Sequence, residues 1–546
     1  MIKRIFHFES RTINSAALIL FLSALSSRIL GLLRDGLLAG YFGGGRELDI
    51  YFAAFRIPDF LYNIFIGGGV ALVFLPLFAQ YYVKDREKAW EISNLILNIF
   101  LSFLFLCAII AFILAPYLSK LVAPGFNQIE RSLLISLIRI LLLSPIFFGA
   151  ASLFGGIVQY FNRFLVYAIA PLIYNLSIIL SIIFFSERFG VIGVSWGVII
   201  GAFLYFLLQF VTAKICGFQW RGIFNFRSEV IRRMVLLIIP RMVASAAQQI
   251  NLIVVTAIAS TLSKGSIAVF SFANNLQYIP VGLIGTPFAL AAFPQFSKLV
   301  SLNNHHDFKE KLSSTISKIL FFVVPFSVIL FVLRAQVVRL VLGTLGAQRF
   351  DWVATRLTAA SLGAFCFGIF AVSLIPLLAR AFFSLQDTKI PAIVSVITVA
   401  INLSLAFLFV YLIENTAVGE EIFVKMFDLE GIKDIGVIGL PMAFSLSAIF
   451  QAFALIFLLA KKIGDFGLKK IIGSTERITF ASFLLGLNTY FFLRVFEFFN
   501  NKTVEGLLAQ TVLAAAIGIL IYLFLAWFMK FPELRDFIRY KNERSN

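Results

Sequence analysis

The sequence predicts an all-α integral membrane protein: about fourteen transmembrane helices, as two six-helix halves in parallel repeat plus two C-terminal helices. Three observations carry this. The 546 residues are 60% hydrophobic and 14% charged, with mean hydropathy +0.96, whereas soluble domains average about 45–50% apolar and 25% charged. The apolar residues fall into long runs of membrane-spanning length. Finally, the chain repeats itself.

The runs, taken in order, give helices over 12–41, 48–80, 90–117, 131–160, 164–186 and 190–215. The next six are 229–261, 265–297, 315–342, 353–384, 390–412 and 436–460, and two more lie at 475–497 and 506–529. Sorting Lys and Arg by loop, with the N-terminus inside, puts about 28 on the inner side and about 10 on the outer. Such a bias orients both termini to the cytoplasm. The longest outer loop, Glu414 to Asp434, is net acidic. The first residues mimic a signal peptide, with Lys3, Arg4 and Arg11 before an apolar core. The run continues to Arg34, however, so an uncleaved first helix is expected.

Three anchors define the repeat. FGVIGVSWGVIIGAFLYFLLQF (189–210) aligns with IGVIGLPMAFSLSAIFQAFALIF (435–457), IYNLSII (173–179) with AINLSLA (400–406), and VFLPLFAQ (73–80) with AAFPQFSK (291–298). Their order is kept, which divides the chain into 1–220, 221–465 and a C-terminal 466–546. Parallel repeats of this kind build transporters with the substrate site between the halves.

Inside this apolar frame the stretch from Ser26 to Pro76 carries Arg28, Arg34, Asp35, Asp49, Arg56 and Asp59. A charge at bilayer depth costs roughly 2.5–3.5 kcal/mol on insertion scales, so such residues face an interior. Helical periodicity puts Arg28 and Asp35 on one face with Arg34 a quarter turn away. Asp49, Arg56, Asn63 and Gly67 form a second stripe; Arg241, Ser245 and Gln248 a third, with Gln249 beside it; and Asn274, Asn275 and Tyr278 a fourth. Together they predict a polar cavity lined by both halves. Pro58, Gly67, Gly68, Gly69, Pro280 and Gly282 are hinge candidates. The bland alternative is pairing within the helices, as for Arg56 with Asp59 at i,i+3. Arg46, Glu47 and Asp49 likewise read as a solvated turn. Arg139, Arg334, Arg339 and Arg356 lie near the interface, where snorkelling explains them. The buried arginines still outnumber well-placed carboxylates, and guanidinium forks match phosphate. A pyrophosphate-bearing lipid fits such a site.

The net charge of +18 falls on no soluble basic domain, so no nucleic-acid partner is expected. Cys107, Cys216 and Cys366 have no metal-ligand spacing, and His7, His305 and His306 lie in polar flanks. No nucleophile–base set, HExxH or Walker pattern occurs in the sequence. Neither catalysis nor ATP hydrolysis is expected, and no cofactor or metal.

At the residues SRILGLLRDGLLAGYFGGGRELDIYFAAFRIPDFL (27–61) the sequence resembles the MurJ (MviN) family of lipid II flippases. PGF (124–126), NRF (162–164), Pro240 with Gln249-Ile250-Asn251, and ARAFFSLQDTKIP (379–391) are also similar. The resemblance covers essentially the whole chain. It implies a fourteen-helix exporter of the MOP superfamily in the bacterial cytoplasmic membrane, moving an undecaprenyl-pyrophosphate-linked peptidoglycan precursor outward. Its implied partners are that precursor, membrane lipids and candidate cell-wall synthesis enzymes. The implied headgroup residues are Arg28, Arg34, Asp35 and Asp49. Departures are specific: family arginines after the second-helix proline and in the eighth helix align here with Tyr62, Asn63 and Asn275, and Arg56 and Arg241 stand as replacements. Two alternatives remain open, another MOP exporter (a lipid-linked oligosaccharide flippase or a drug antiporter) and a non-transporting scaffold.

Overall fold

The computed structural model describes residues 13–65, 71–345, 349–499 and 503–535, and among these residues every regular element is helical. Among the described residues twenty α-helices follow one another. The first eight are α1 (Ile13–Phe42), α2 (Arg46–Ala54), α3 (Arg56–Tyr62), α4 (Ala71–Lys84), α5 (Arg86–Val122), α6 (Gln128–Leu141), α7 (Leu143–Tyr160) and α8 (Phe164–Ile215). Then come α9 (Glu229–Thr261), α10 (Ser266–Pro280), α11 (Thr286–Ser301), α12 (His305–Val332), α13 (Arg334–Leu342) and α14 (Trp352–Cys366). The last six are α15 (Ile369–Ser384), α16 (Lys389–Asn415), α17 (Ala417–Phe427), α18 (Gly439–Ile463), α19 (Leu468–Val495) and α20 (Val504–Phe528). Nine described helices, or joined runs of them, are long and apolar enough to cross a bilayer, and the pair α14–α15, bent by 47°, makes a tenth. The figure of fourteen remains an expectation: α1, the broken run α2–α4 and α9 are outside that ten, and the 52-residue α8, broken at Gly190, counts once within it.

The breaks have local causes. Pro58 lacks the N–H that would bond to the carbonyl of Ala54, and α2 ends at Ala54. Gly190 takes φ +55° inside the 52-residue α8. Its two arms then pack face to face: a Cβ on Gly197 would stand 2.0 Å from Ser181 Oγ, and one on Gly201 3.0 Å from Tyr174. Small residues allow this close approach where lipid supplies no hydrophobic drive. The repeated Gly-Val-Ile-Gly opens the second arm of α8 and, as a 3₁₀ turn over Ile435–Ile438, leads into α18. Pro280 closes α10, and a π-helical turn, Val281–Gly285, follows it with Gly282 exposed. Gly67, Gly68 and Gly69 lie outside the described residues.

The chain forms two compact units, residues 1–268 with 345–350, and 269–344 with 351–546. In the first, Phe74, Phe78, Ile92, Ile96, Phe154, Ile157 and Phe218 form an aromatic-rich core, with Trp90 and Tyr160 packed against it. In the second, the α14–α15 bend is held by Ser445 of α18, whose Oγ donates to the carbonyls of Ala364 (2.8 Å) and Phe365 (3.2 Å). The Phe365 carbonyl also accepts from Gly368 N (2.9 Å), so the inserted hydroxyl adds a side-chain donor at the point where the helix breaks. Further along, α19 meets α12 at Gly486 and α20 at Gly518, where a Cβ would fall 2.7 Å from Val328 and 2.1 Å from Thr489.

One element was not legible as a helix. Within the acidic loop 414–434, α17 forms because Thr416 Oγ1 accepts from Gly419 N (3.1 Å) and Asp428 ends it in the left-handed conformation.

Candidate functional site

The cationic site grows from α1. Arg34 Nε and Nη2 both donate to Asp35 Oδ1, at 3.0 and 2.8 Å, and Nη1 donates to Asn175 Oδ1 on α8 at 3.3 Å. Asn175 in turn donates to Ser27 Oγ (3.2 Å) and to the Pro171 carbonyl (3.1 Å). Adjacent residues on a helix point apart by about 100°, so Asp35 is buried while Arg34 wraps back to reach it. Three of the five guanidinium donors are thereby aimed by protein partners. The Arg34 side chain remains 23% exposed against 5% for Asp35. It opens into a cavity of about 500 Å³ lined by Ser23, Ser27, Arg28, Arg34, Tyr167 and Asn175, among others. Arg28 lies within electrostatic range of both Arg34 and Asp35. Two guanidiniums against one carboxylate leave this cavity with a net positive charge.

A wall of phenol rings stands nearby in the same unit. Phe148 packs edge-on against Tyr62 (5.6 Å between centroids), Tyr174 (5.2 Å) and Tyr205 (5.5 Å). Tyr174 lies within electrostatic range of Arg34, Asp59 and Tyr62. Tyr62, which stands where an arginine was expected from the family pattern, therefore belongs to an aromatic cluster beside the cationic cavity.

Asp49 is different. It is fully buried, and its carboxylate accepts from the backbone N–H of Gly265 (2.7 Å) and Ala268 (2.9 Å) and from Arg46 Nη1 (3.4 Å). It caps the N-terminus of α10, where free amides and the helix dipole favour an anion. Arg46 also pairs with Glu130 at 3.2 Å and stacks over Phe126 at 4.9 Å. The solvated turn expected at Arg46, Glu47 and Asp49 is thus corrected: Asp49 is sealed in, because the α9–α10 turn closes over it. Gly265 (φ +93°) makes that closure, with its Cβ position only 1.8 Å from the Gly44 carbonyl oxygen. Gly125 fits as tightly against Ser260, 2.2 Å from its carbonyl, and donates to Ser260 Oγ at 3.1 Å.

Arg56, half-buried, donates through Nε to Thr256 Oγ1 on α9 at 2.7 Å and lies within range of Asp59. Gln248 is exposed and Gln249 half-buried on α9, which also carries the backbone of Arg241. Asn274 and Asn275 are half-buried on α10, and Asn274 Oδ1 accepts from Gln277 at 2.9 Å. The first unit therefore brings Arg28, Arg34 and Asp35 together and gives Asp49 a structural partner. Sequence periodicity missed Ser27, Tyr167, Asn175 and Thr256; the repeat anchor IYNLSII already contained Asn175. Among the arginines set apart from the cavity, Arg139 stacks over Phe112 (4.8 Å), Arg334 over Phe331 (4.9 Å) and Arg356 over Trp352 (5.6 Å).

Fold and site together define a multi-pass membrane protein with the fold of MOP-superfamily transporters. A multidrug-resistance MATE transporter of that superfamily, solved facing inward, superposes with TM-score 0.63 at 15% identity over 81% of this chain and 95% of that one. More specifically, the family model described as "Lipid II flippase MurJ" matches residues 38–508, and the chain belongs to that family. The structure titled "Lipid II flippase MurJ, inward closed conformation" has TM-score 0.74 at 25% identity, covering 95% of this chain and 100% of that chain. A "Probable lipid II flippase MurJ" of Buchnera aphidicola (Schizaphis graminum) is 31% identical over 380 residues, 68% of this chain and 73% of that protein. One from Bdellovibrio bacteriovorus is 24% identical over 521 residues, 93% and 94% of the two chains.

Proposed function

We propose that this protein is a lipid flippase that carries a pyrophosphate-linked cell-wall precursor, lipid II, from the inner to the outer leaflet of the bacterial cytoplasmic membrane. One observation carries the reading: the cavity bearing Arg28 and Arg34 lies on the stretch that the family pattern shares, and it has an excess of guanidinium over carboxylate. Arg34 is pre-oriented by Asp35 and Asn175, so less freedom is lost when it grips an anion. Arg28 supplies the second fork, and paired forks suit the two phosphates of a pyrophosphate. Arg56 and Arg241 supply further positive charge in place of the arginines absent at Tyr62 and Asn275. Gln248, Gln249, Asn274 and Asn275 offer neutral hydrogen bonds to the headgroup. The division of the chain at 220/221 into two repeat halves, with both termini cytoplasmic, supplies the two bodies whose rocking gives alternating access. Turns at Pro58 and at the π-helical segment after Pro280 are the hinges. The protein transports and catalyses no reaction.

A drug-cation exporter would need a carboxylate-dominated pocket, and the arginine excess argues against it. The test is complementation of cells depleted of their own flippase, scoring lipid II by leaflet. Growth with lipid II restored to the outer face supports the flippase. Outer exposure that stays normal during depletion, with cell-wall enzymes mislocalised, would support a scaffold instead.

A further inference from the structure

A second cavity lies in the first unit, apart from the arginine site. It holds about 740 Å³ between α5, α7 and α8, with Leu97, Ala150, Phe154, Phe206 and Phe210 among its apolar lining and Lys214 and Trp220 at its rim. That volume is within the range of ligand pockets. The roof is a stapled loop. Asn94, buried, donates to the Gln219 carbonyl (2.9 Å) and accepts from Arg221 N (2.8 Å). Asn98, also buried, donates to the carbonyls of Arg221 (2.7 Å) and Ile223 (3.1 Å) and accepts from Trp220 Nε1 (3.0 Å). Two asparagines thus hold the segment 219–223 to α5 through its backbone, which fixes the rim.

The loop's own side chains say where that rim sits. Trp220, Phe224 and Phe226 are 65%, 54% and 71% exposed, and Arg221 and Arg227 alternate with them. Aromatic and basic residues together mark the lipid–water boundary. The mouth is then at headgroup depth, and the phenylalanine floor is at acyl depth. Arg221 is paired with Glu87 at 3.3 Å. Lys214, exposed, stands 5.1 Å over the Phe210 ring at the mouth. A cation above an apolar slot complements an amphiphile with an anionic head and a hydrocarbon tail.

We propose that this slot is a binding site for one anionic phospholipid of the surrounding leaflet, with an acyl chain against Phe154, Phe206 and Phe210 and its phosphate at Lys214. The test is native mass spectrometry of the full-length protein in detergent, offered phosphatidylglycerol or phosphatidylcholine with identical chains. The expected result is about a fivefold excess of phosphatidylglycerol adduct, the scale of one basic residue at a membrane surface. Lys214→Gln, at an exposed position that leaves the fold intact, should bring the two lipids level. Leu101 also lines the slot, and Leu101→Trp, which narrows it, should lower both adducts together. Equal adducts in the wild type, an excess that persists in Lys214→Gln, or full retention in Leu101→Trp would each overturn the assignment. Displacement of phosphatidylglycerol by undecaprenyl phosphate from the wild type would assign the slot to a polyprenyl tail and overturn it equally.

Discussion

Two charged regions lie about one helix apart in sequence and have opposite fates. On α1, Arg28 and Arg34 line an open cavity, and Arg34 keeps part of its surface uncovered. At the start of α2, Asp49 is sealed, with backbone amides and Arg46 around its carboxylate. Both are costly charges in an apolar chain, and both look alike in a helical-wheel reading. The difference is whether the protein's own groups saturate them. Saturated charges hold structure together; a cation that keeps part of its surface open to a cavity, as Arg34 does, is available to a ligand.

That contrast breaks if the two sites respond alike to substitution. The largest effect is expected at Arg34: Arg34→Ala should abolish complementation of a flippase-depleted cell while the protein still reaches the membrane in normal amount, as growth and immunoblotting together would report. Arg34→Lys keeps charge but loses the fork, so partial rescue is expected. Parallel loss of protein would place Arg34 with the structural charges.

Gly265→Ala should act on folding. A methyl group there meets the Gly44 carbonyl oxygen at 1.8 Å and needs φ +93°, a conformation costing a side-chain-bearing residue about 1–3 kcal/mol before the clash is added. Thermal unfolding in detergent should show the midpoint falling well below that of the wild type. Asp49→Asn should cost less, about 1–3 kcal/mol, because it leaves amide donors imperfectly matched. Unfolding curves should therefore rank Gly265→Ala below Asp49→Asn, with Arg34→Ala near the wild type.

The smallest effect is expected at Asp387, in the loop before α16. The hydrogen bond from Lys462, together with the amides of Ile390 and Lys389, holds its carboxyl below the usual carboxylate range. A depressed carboxyl contributes stability that is present above its unfolded-state value and is lost as pH falls through the folded one. Asp387→Asn should thus cost at most about 1 kcal/mol near neutrality, since the pair is partly open to solvent. The cost should vanish in acid, which melting temperatures across pH would show.

Much of the fold was legible because lipid leaves a chain few choices: long apolar runs become helices, and glycine or proline breaks them. The kinks at Pro58, Gly190 and Pro280 follow from that chemistry. The site was legible in part. Arg28, Arg34 and Asp35 meet as the spacing implied, but their alignment by Asn175 and Ser27 depends on α8 returning to α1, a long-range contact that periodicity does not encode. Asp49 was placed on a cavity stripe because nothing local says that the amino end of α10 will arrive above it. Tyr62 looked like a loss, a missing arginine; only the packing of Phe148 with Tyr174 and Tyr205 shows that it joined an aromatic wall.

The central claim is that Arg28 and Arg34 hold a pyrophosphate. Its most direct test is binding of undecaprenyl pyrophosphate to the purified full-length protein, compared with undecaprenyl monophosphate. The account predicts that the wild type prefers the pyrophosphate by at least tenfold, on the order of one charge-assisted contact, and that Arg34→Ala erases the preference. Equal binding of the two lipids by the wild type, or a preference that survives Arg34→Ala, would contradict it.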